Sequence, residues 1–386
     1  MSDHLDDLAR VLPDLGSLAW TDEHERWKDD WITERERNND DHPSSDLPPV
    51  TPGRIAQVAR GYSVVFVGGE AVLAASSSQR TRGGLAPATG DFALVEDHPQ
   101  DGPSVVSIAN RRTALARRSP GRFPEMQVLA ANIDTVLILH GLDRAINERR
   151  LERELVVAAD SGAEPVVVLT KADTIKDLDQ RLEAVTTIAG GFSVVAISSI
   201  TGEGLTNLAP YLTPHSTTAL FGASGVGKSS LVNALSNGTV QRTGEVRATD
   251  QRGRHTTVTR DLIPLPGGAL IVDTPGIREI GLWQAYDGLA QTFPEITAAM
   301  EHCGFRDCAH EHEPSCGVQA EIERGRILER RIEHYRQLAA ELALQEEQLT
   351  EAARIAESHQ RADAEDRQDN VRPNRRARRG GRRRRR

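Results

Sequence analysis

The chain is short of cysteine: three in 386 residues, all between Cys303 and Cys316, which excludes a disulfide framework. Their clustering points to a metal instead. It also lacks any apolar run approaching the ~20 residues that span a bilayer. Its start, Met1-Ser-Asp-His-Leu-Asp-Asp, is acidic where a signal peptide is basic and then apolar. A cytoplasmic protein with no membrane partner is expected. Acidic residues are missing from Val371 to Arg386, which hold ten arginines; the other 370 residues carry 37 minus 56, or -19, within a whole-chain net of -9. Residues 1–50 have 14 acidic and 5 basic side chains. The pattern is an acidic head, a globular middle and a cationic tail, in a length that suits two or three domains of roughly 100–200 residues.

Residues 1–50 read as an acidic flexible extension. Trp20, Trp27 and Trp31, spaced by 7 and 4, allow one short amphipathic helix, either a packing element or an aromatic face for a partner. Asp40-Asp-His-Pro-Ser-Ser-Asp-Leu-Pro-Pro is a linker. From Arg54 to about Arg118, short β runs separated by Gly, Pro and Ser predict about five strands and a small barrel. Arg80, Arg82, Arg111, Arg112, Arg117 and Arg118 gather around its loops and exit, a surface suited to a phosphate backbone or simply a solvated rim. From about Met126 to Ala299, apolar strands (Asp134–Leu139, Pro165–Leu169, Ser193–Ile197, Thr218–Phe221, Ala269–Asp273) alternate with helical stretches such as Asn147–Ala159 and Lys176–Ile188. That alternation predicts a parallel sheet covered on both faces. One helical segment is expected from Gln319 to about Asp366, followed by a disordered arginine tail.

Gly222-Ala-Ser-Gly-Val-Gly-Lys-Ser229 fits the phosphate-loop pattern G-x-x-x-x-G-K-[ST], between an apolar strand and the apolar helix that begins at Ser230. Gly222, Gly225 and Gly227 let the backbone of Ala223, Ser224 and Val226 turn its N–H groups onto phosphate oxygens, and the helix start adds partial positive charge. Lys228 is expected to reach the β- and γ-phosphates as a binding and catalytic group, and Ser229 to ligate Mg²⁺. Asp273-Thr-Pro-Gly276 ends another strand, 44 residues after Ser229. Asp273 is placed to hold Mg²⁺, and the Gly276 amide to face a γ-phosphate. Thr170-Lys-Ala-Asp173 ends a third strand. Asp173 can accept from both N–H donors of guanine, a pairing adenine cannot satisfy, while Lys171 covers the base plane and Ala172 spaces the two. Ser198-Ser199, at the end of the next strand, could offer a backbone N–H to the guanine oxygen.

The order of these motifs is unusual, because in most GTPases the phosphate loop precedes the base-reading loop. Together with Gln127-Val-Leu-Ala-Ala-Asn-Ile-Asp134, Gly253-Arg-His-Thr-Thr257 and the cysteine cluster, the chain resembles the circularly permuted GTPases of the RsgA (YjeQ, EngC) family, small-ribosomal-subunit biogenesis factors, over about residues 50–345. The resemblance implies a multi-domain α/β protein: an RNA-binding OB-fold over 51–125, a circularly permuted P-loop GTPase domain over 126–299 and a zinc-binding helical domain over 300–350. A helical extension and disordered tail then occupy 351–386. It implies hydrolysis of GTP to GDP and phosphate with Mg²⁺, stimulated by the small (30S) subunit and its rRNA during late maturation. A monomer is expected.

Cys303-x4-Cys308-x-His310-x5-Cys316 supplies four zinc-type ligands within 14 residues. A Cys₃His set leaves no open position, so one structural zinc per chain is expected. His312 competes for the histidine place; the family's spacing favours His310.

Two departures from the family stand out. Its base-reading motif usually begins with Asn where this chain has Thr170, a change expected to weaken nucleotide binding or loosen the loop. Ile277 follows Asp273–Gly276 where Ras-like enzymes carry the glutamine that orients water. Intrinsic turnover should therefore be slow, with His255 the candidate to orient water and Thr256 or Thr257 to complete the Mg²⁺ shell. A P-loop ATPase or small-molecule kinase, and a non-catalytic nucleotide-switched RNA-binding protein, are the competing classes.

Overall fold

The structure, a computed structural model, describes residues 18–38, 47–76, 81, 84–119, 125–236, 260–274 and 281–371. Five strands close into a barrel: β1 (Val50–Ala59), β2 (Tyr62–Val67), β3 (Glu70–Ala75), β4 (Phe92–His98) and β5 (Gly102–Ile108). Pairing runs β1–β2–β3–β5–β4 and back to β1, antiparallel except for β3 with β5. Closure removes the free edges that a five-stranded sheet would otherwise expose. Ile55, Val65, Ala74, Ala93, Val95, Val105 and Ile108 fill the inside. The barrel is thus the OB-like element expected from the sequence.

A two-stranded ribbon, β6 (Ala114–Arg118) with β7 (Met126–Ala131), follows the barrel. Next comes the sheet of β8 (Thr135–Gly141), β9 (Glu164–Thr170), β10 (Ser193–Ala196), β11 (Thr217–Gly222), β12 (Asp261–Pro264) and β13 (Leu270–Asp273), in the order β10-β9-β8-β11-β13-β12. All pairings are parallel except β12 with β13. All seven residues of β8 and all six of β11 are buried, as apolar central strands covered on both faces must be. On one face pack α2 (Glu148–Asp160), α3 (Leu178–Ile188), α5 (Tyr286–Thr292) and α6 (Pro294–Met300), together with α7 (Gly317–Glu323) and α8 (Glu329–Val371). On the other lies α4 (Lys228–Leu235). β12 also pairs with β1 through Gln57 and Asp261, so barrel and sheet are continuous.

Two expectations are corrected. Residues 18–38, read as part of a flexible extension in which one short packing helix was allowed, are docked on the barrel: Leu18 is fully buried, α1 (Asp22–Arg37) lays His24 on Phe92, and Trp20 just before it does the same, with ring centroids 3.9 and 5.8 Å away. Apolar contact outweighs the helix's surplus of carboxylates. The single helix expected from Gln319 is two helices, because Gly325 takes φ +71 just past α7 and stops it.

Arg54 fastens these parts together. Fully buried, its guanidinium donates to the carbonyls of Leu18 (2.8 Å), Gly90 (3.2 Å) and Asn132 (3.1 Å) and to Thr217 Oγ1 (2.8 Å), and stacks 4.7 Å from the Phe92 ring. Burial pulls its pKa down to about 10. No other side chain could satisfy four acceptors from the N-terminal segment, barrel and sheet at once.

Candidate nucleotide and metal sites

The carboxyl ends of the parallel strands share one edge of the sheet, the place where open α/β sheets bind ligands. From β11 the chain turns through residues 222–227 into α4. Lys228, 8 % exposed, folds back so that Nζ donates to the carbonyls of Gly222 (2.8 Å) and Ala223 (2.9 Å). Burial holds its pKa below the ordinary lysine value. The loop is therefore already wrapped around a cation. Asp273 ends β13 opposite Leu220 of β11, near enough for its charge to act on Lys228. The hydroxyl of Thr274 donates to the Leu220 carbonyl and ties the two strand ends together. Oxygen donors from Ser229 and Asp273 on adjacent elements suit a hard cation such as Mg²⁺.

The base-reading loop is fastened to the phosphate loop at two points. Thr170 is buried, and its Oγ1 donates to Val226 O at 2.5 Å, with His140 O a second, longer acceptor at 3.3 Å. The hydroxyl at position 170 is thus long enough to bridge the two loops in place of the family's Asn. Lys171, at φ +61, sends Nζ across to Gly225 O (3.0 Å) and Asp143 Oδ2 (2.8 Å). Ala172 is buried and donates its N–H to Ile197 O at 3.1 Å, which joins this loop to the end of β10.

Asp173 Oδ1 accepts from Ser198 Oγ at 2.5 Å, and that hydroxyl accepts from the amides of Ile200 (3.3 Å) and Thr201 (3.1 Å). The amide of Ser198 itself donates to Glu203 O at 2.9 Å. Of the two amides expected toward a base, that of Ser198 is thus already bonded, and its hydroxyl aims Asp173. The predicted residues Thr170, Lys171, Asp173, Ser198 and 222–230 thus form one connected cradle. His255, Thr256, Thr257 and Gly276 lie outside the described residues.

Two charged residues in the loop after β8 were not singled out in the sequence. Asp143 clamps Lys171, which holds its carboxyl below the ordinary value, and Arg144 follows it. The signal was available: a charged pair directly after an apolar strand of a parallel sheet falls on the ligand-binding edge. Of the arginines expected to follow a phosphate backbone, Arg111 is turned inward onto buried Asp91 (2.7 Å) and Arg118 onto Gln348 (2.8 Å). Arg112 pairs with Asp134 at 3.4 Å with about half its side chain exposed. Arg80 and Arg82 lie outside the described residues.

Cys303, Cys308, His310 and Cys316 bring their ligand atoms within 4.8 Å of one another. Cys303 Sγ lies 3.9 Å from Cys316 Sγ, and His310 Nδ1 lies 3.5 and 3.6 Å from those two sulfurs. A tetrahedral metal with bonds of about 2.3 Å to sulfur and 2.0–2.1 Å to nitrogen requires about 3.8 Å between sulfurs and about 3.6 Å from sulfur to nitrogen. The donor set fits. His310, at φ +61, is buried with its carbonyl held by Gln319 Nε2 (2.5 Å) and by Arg336, whereas His312 is exposed. Glu313 staples the intervening loop by accepting from the amides of Ala309 (2.7 Å), Glu311 (2.9 Å) and His312 (3.1 Å). Its own backbone amide first, and then those donors, pull its carboxyl down to about 2.

Comparison with known proteins agrees with this geometry. The family model described as RsgA GTPase matches residues 108–283. A small ribosomal subunit biogenesis GTPase RsgA from Methanosarcina acetivorans is 42% identical over 294 residues, covering 76% of this chain and 80% of that one. Its namesake from Syntrophotalea carbinolica is 37% identical over 342 residues, covering 86% and 93%. Among solved structures, YjeQ from Thermotoga maritima superposes with a TM-score of 0.56 at 26% identity, over 76% of this chain and 99% of that one. YloQ, a circularly permuted GTPase, shares the fold with a TM-score of 0.54 at 24% identity, over 76% and 96%.

Proposed function

This chain belongs to the RsgA family of GTPases, and from that premise we propose that it hydrolyses GTP on the small ribosomal subunit during the subunit's late maturation. One observation carries the nucleotide reading: Thr170 and Lys171 bond directly to Val226 and Gly225 of the phosphate loop. Base recognition and phosphate recognition are thus held at a fixed separation, as one bound nucleoside triphosphate requires. Asp173, aimed by Ser198, accepts from the two N–H donors of guanine. The oxygen of that base falls to the next amide, Ser199, because the Ser198 amide is already bonded.

Lys228 leaves its loop carbonyls for the β- and γ-phosphates, and the exchange restores to the ammonium a fully ionic partner. Mg²⁺, when bound, neutralises charge between the β- and γ-phosphates; Ser229 and Asp273 would hold it, with Thr256 or Thr257 completing the shell. Gly276 offers its amide to the γ-phosphate, and His255 is proposed to orient water in place of the glutamine that Ile277 replaces. One zinc per chain on Cys303, Cys308, His310 and Cys316 fits the soft donor set and has no catalytic position. The barrel and zinc region supply the rRNA contact, and the cytoplasm is the compartment of such a partner. The nucleotide cradle lies within a single chain, which fits action as a monomer.

The test is turnover of GTP and ATP by the purified chain with and without small and large subunits. GTP-selective turnover that rises with small subunits is expected. ATP preference would return the reading to a P-loop ATPase, and nucleotide binding without turnover under either condition would leave a non-catalytic switch.

A further inference from the structure

The loop that joins β8 to α2 is pinned at four places. Leu142 donates its N–H to Thr170 O at 3.0 Å, and its side chain is buried. Asp143 holds Lys171. Asn147 caps α2, with its side chain accepting from Arg150 N at 3.0 Å. At the strand end, His140 bonds through Nε2 to Glu154 of α2 at 2.7 Å, and Glu154 is fully buried. Between these fixed points sits Arg144, its side chain 55% exposed and only loosely paired with Asp143 at 3.7 Å. It lies over the phosphate loop: a β-carbon built on Gly225 would come within 3.8 Å of Arg144 Nη2. Gly225 is at φ +78, and its carbonyl already accepts from Lys171.

We propose that Arg144 is a catalytic residue, an arginine supplied in cis that reaches across Gly225 to the leaving-group side of the bound triphosphate. This rests on the GTPase reading and deepens it. In hydrolysis the water oxygen bonds to the γ-phosphorus while the bond from that phosphorus to the β–γ bridging oxygen breaks. The electron pair stays on the bridging oxygen of GDP, one water proton leaves with the released phosphate, and the other passes to solvent. Negative charge therefore grows on the GDP side during the reaction, and a cation already fixed there binds the transition state more tightly than the substrate. Isoleucine at position 277 cannot orient water, and the arginine does not replace that function. The two devices act at opposite ends of the breaking bond and are independent.

The arrangement also accounts for the charge pattern of the loop. Asp143 holds Lys171 at 2.8 Å and Arg144 only at 3.7 Å, so the arginine is the freer of the two cations beside Gly225. Gly225 keeps the space between Arg144 and the nucleotide clear.

The experiment compares wild type, Arg144→Ala and Arg144→Lys in single-turnover and steady-state GTP hydrolysis, with the affinity for GDP measured alongside. Removing one preorganised transition-state donor typically costs about 10²–10³ in rate, so Arg144→Ala should lower the single-turnover rate by about 100-fold while KM and GDP affinity stay within about threefold. Arg144→Lys should recover part of the loss, because the charge remains but the planar fork is gone. Asp143→Ala, which frees Lys171, should instead weaken nucleotide binding. If wild type turns over GTP and Arg144→Ala matches it within twofold, Arg144 is a surface arginine and the inference fails alone. If wild type does not turn over GTP at all, the GTPase reading itself has failed.

Discussion

Asp173 receives the Ser198 hydroxyl on one carboxylate oxygen at 2.5 Å, which fixes its plane for a base approaching from the cradle. Replacing it by Asn turns one acceptor into a donor and leaves a guanine N–H facing another N–H. A mispaired buried polar group costs on the order of 1–3 kcal/mol, so Asp173→Asn should bind GTP about tenfold or more weakly in a titration. Unchanged affinity would remove the base-reading assignment. Thr170→Val keeps the shape and deletes the bond to Val226, with the longer contact to His140 O. Deleting one buried neutral hydrogen bond, with the acceptor left unpaired, costs about 1–3 kcal/mol, and it should appear as faster GDP release rather than as a changed preference for guanine. The residue scale is also where the sequence misled: the type of side chain at position 170 was legible, but its reach across to Val226 was not, because that distance depends on how β9 and β11 flank β8.

At the scale of elements, the end of α2 carries an acid in an unfavourable place. Asp160 is the last residue of the helix, where the dipole opposes negative charge. Burial lifts its pKa to about 6 from 3.8, with Asp287 adding to the rise and the Gly288 amide opposing it. Because the folded value lies above the unfolded one, the native state holds the extra proton between these values, and stability falls as pH rises through that window. Asp160→Asn should therefore raise the melting temperature at pH 7.5 and give no gain at pH 4. A gain of the same size at both would mean that packing, not ionisation, is responsible.

The zinc-type loop makes the complementary case of an element built around polar atoms, with Glu313 and three backbone amides holding the ligands in register. Cys308→Ala should release the metal, measured as loss of one zinc per chain by elemental analysis, and raise amide exchange around residues 300–320 with the phosphate loop unaffected. A wild-type protein free of zinc would overturn the site. Elements were the most legible level: the alternating strands and helices, the barrel and the Cys₃His spacing all follow from periodicity and residue type. The exceptions, the docking of α1 on the barrel and the break at Gly325, turn on tertiary packing or a backbone angle that no local pattern encodes.

For the whole molecule, recognition of RNA is expected to divide between shaped surfaces and bare charge. Truncation of residues 371–386 takes away ten arginines, and each arginine–phosphate pair so removed should flatten the slope of log affinity against log salt by about 0.7–0.9. Binding to small subunits should persist at low salt with that shallower slope; complete loss would place recognition in the tail. The joint between parts is a separate matter. Arg54→Met would leave the carbonyls of Leu18 and Asn132 without their donor, and at about 1–3 kcal/mol for each unpaired buried group the barrel should part from the sheet in a melt with two transitions where wild type shows one.

The long helix α8 has one more consequence. Its 43 residues rise about 65 Å at 1.5 Å each. Among the described residues, the farthest hydrogen bond from it back to the body is at Gln348, with Arg118. The 23 positions from there to Val371 extend about 35 Å further. The helix therefore works as a spacer as well as a clamp: it sets Val371 off from the body by a length that changes in steps of about 5.4 Å per whole turn. Lengthening or shortening it by whole turns is expected to move everything after Val371 relative to the cradle while leaving the chemistry there untouched.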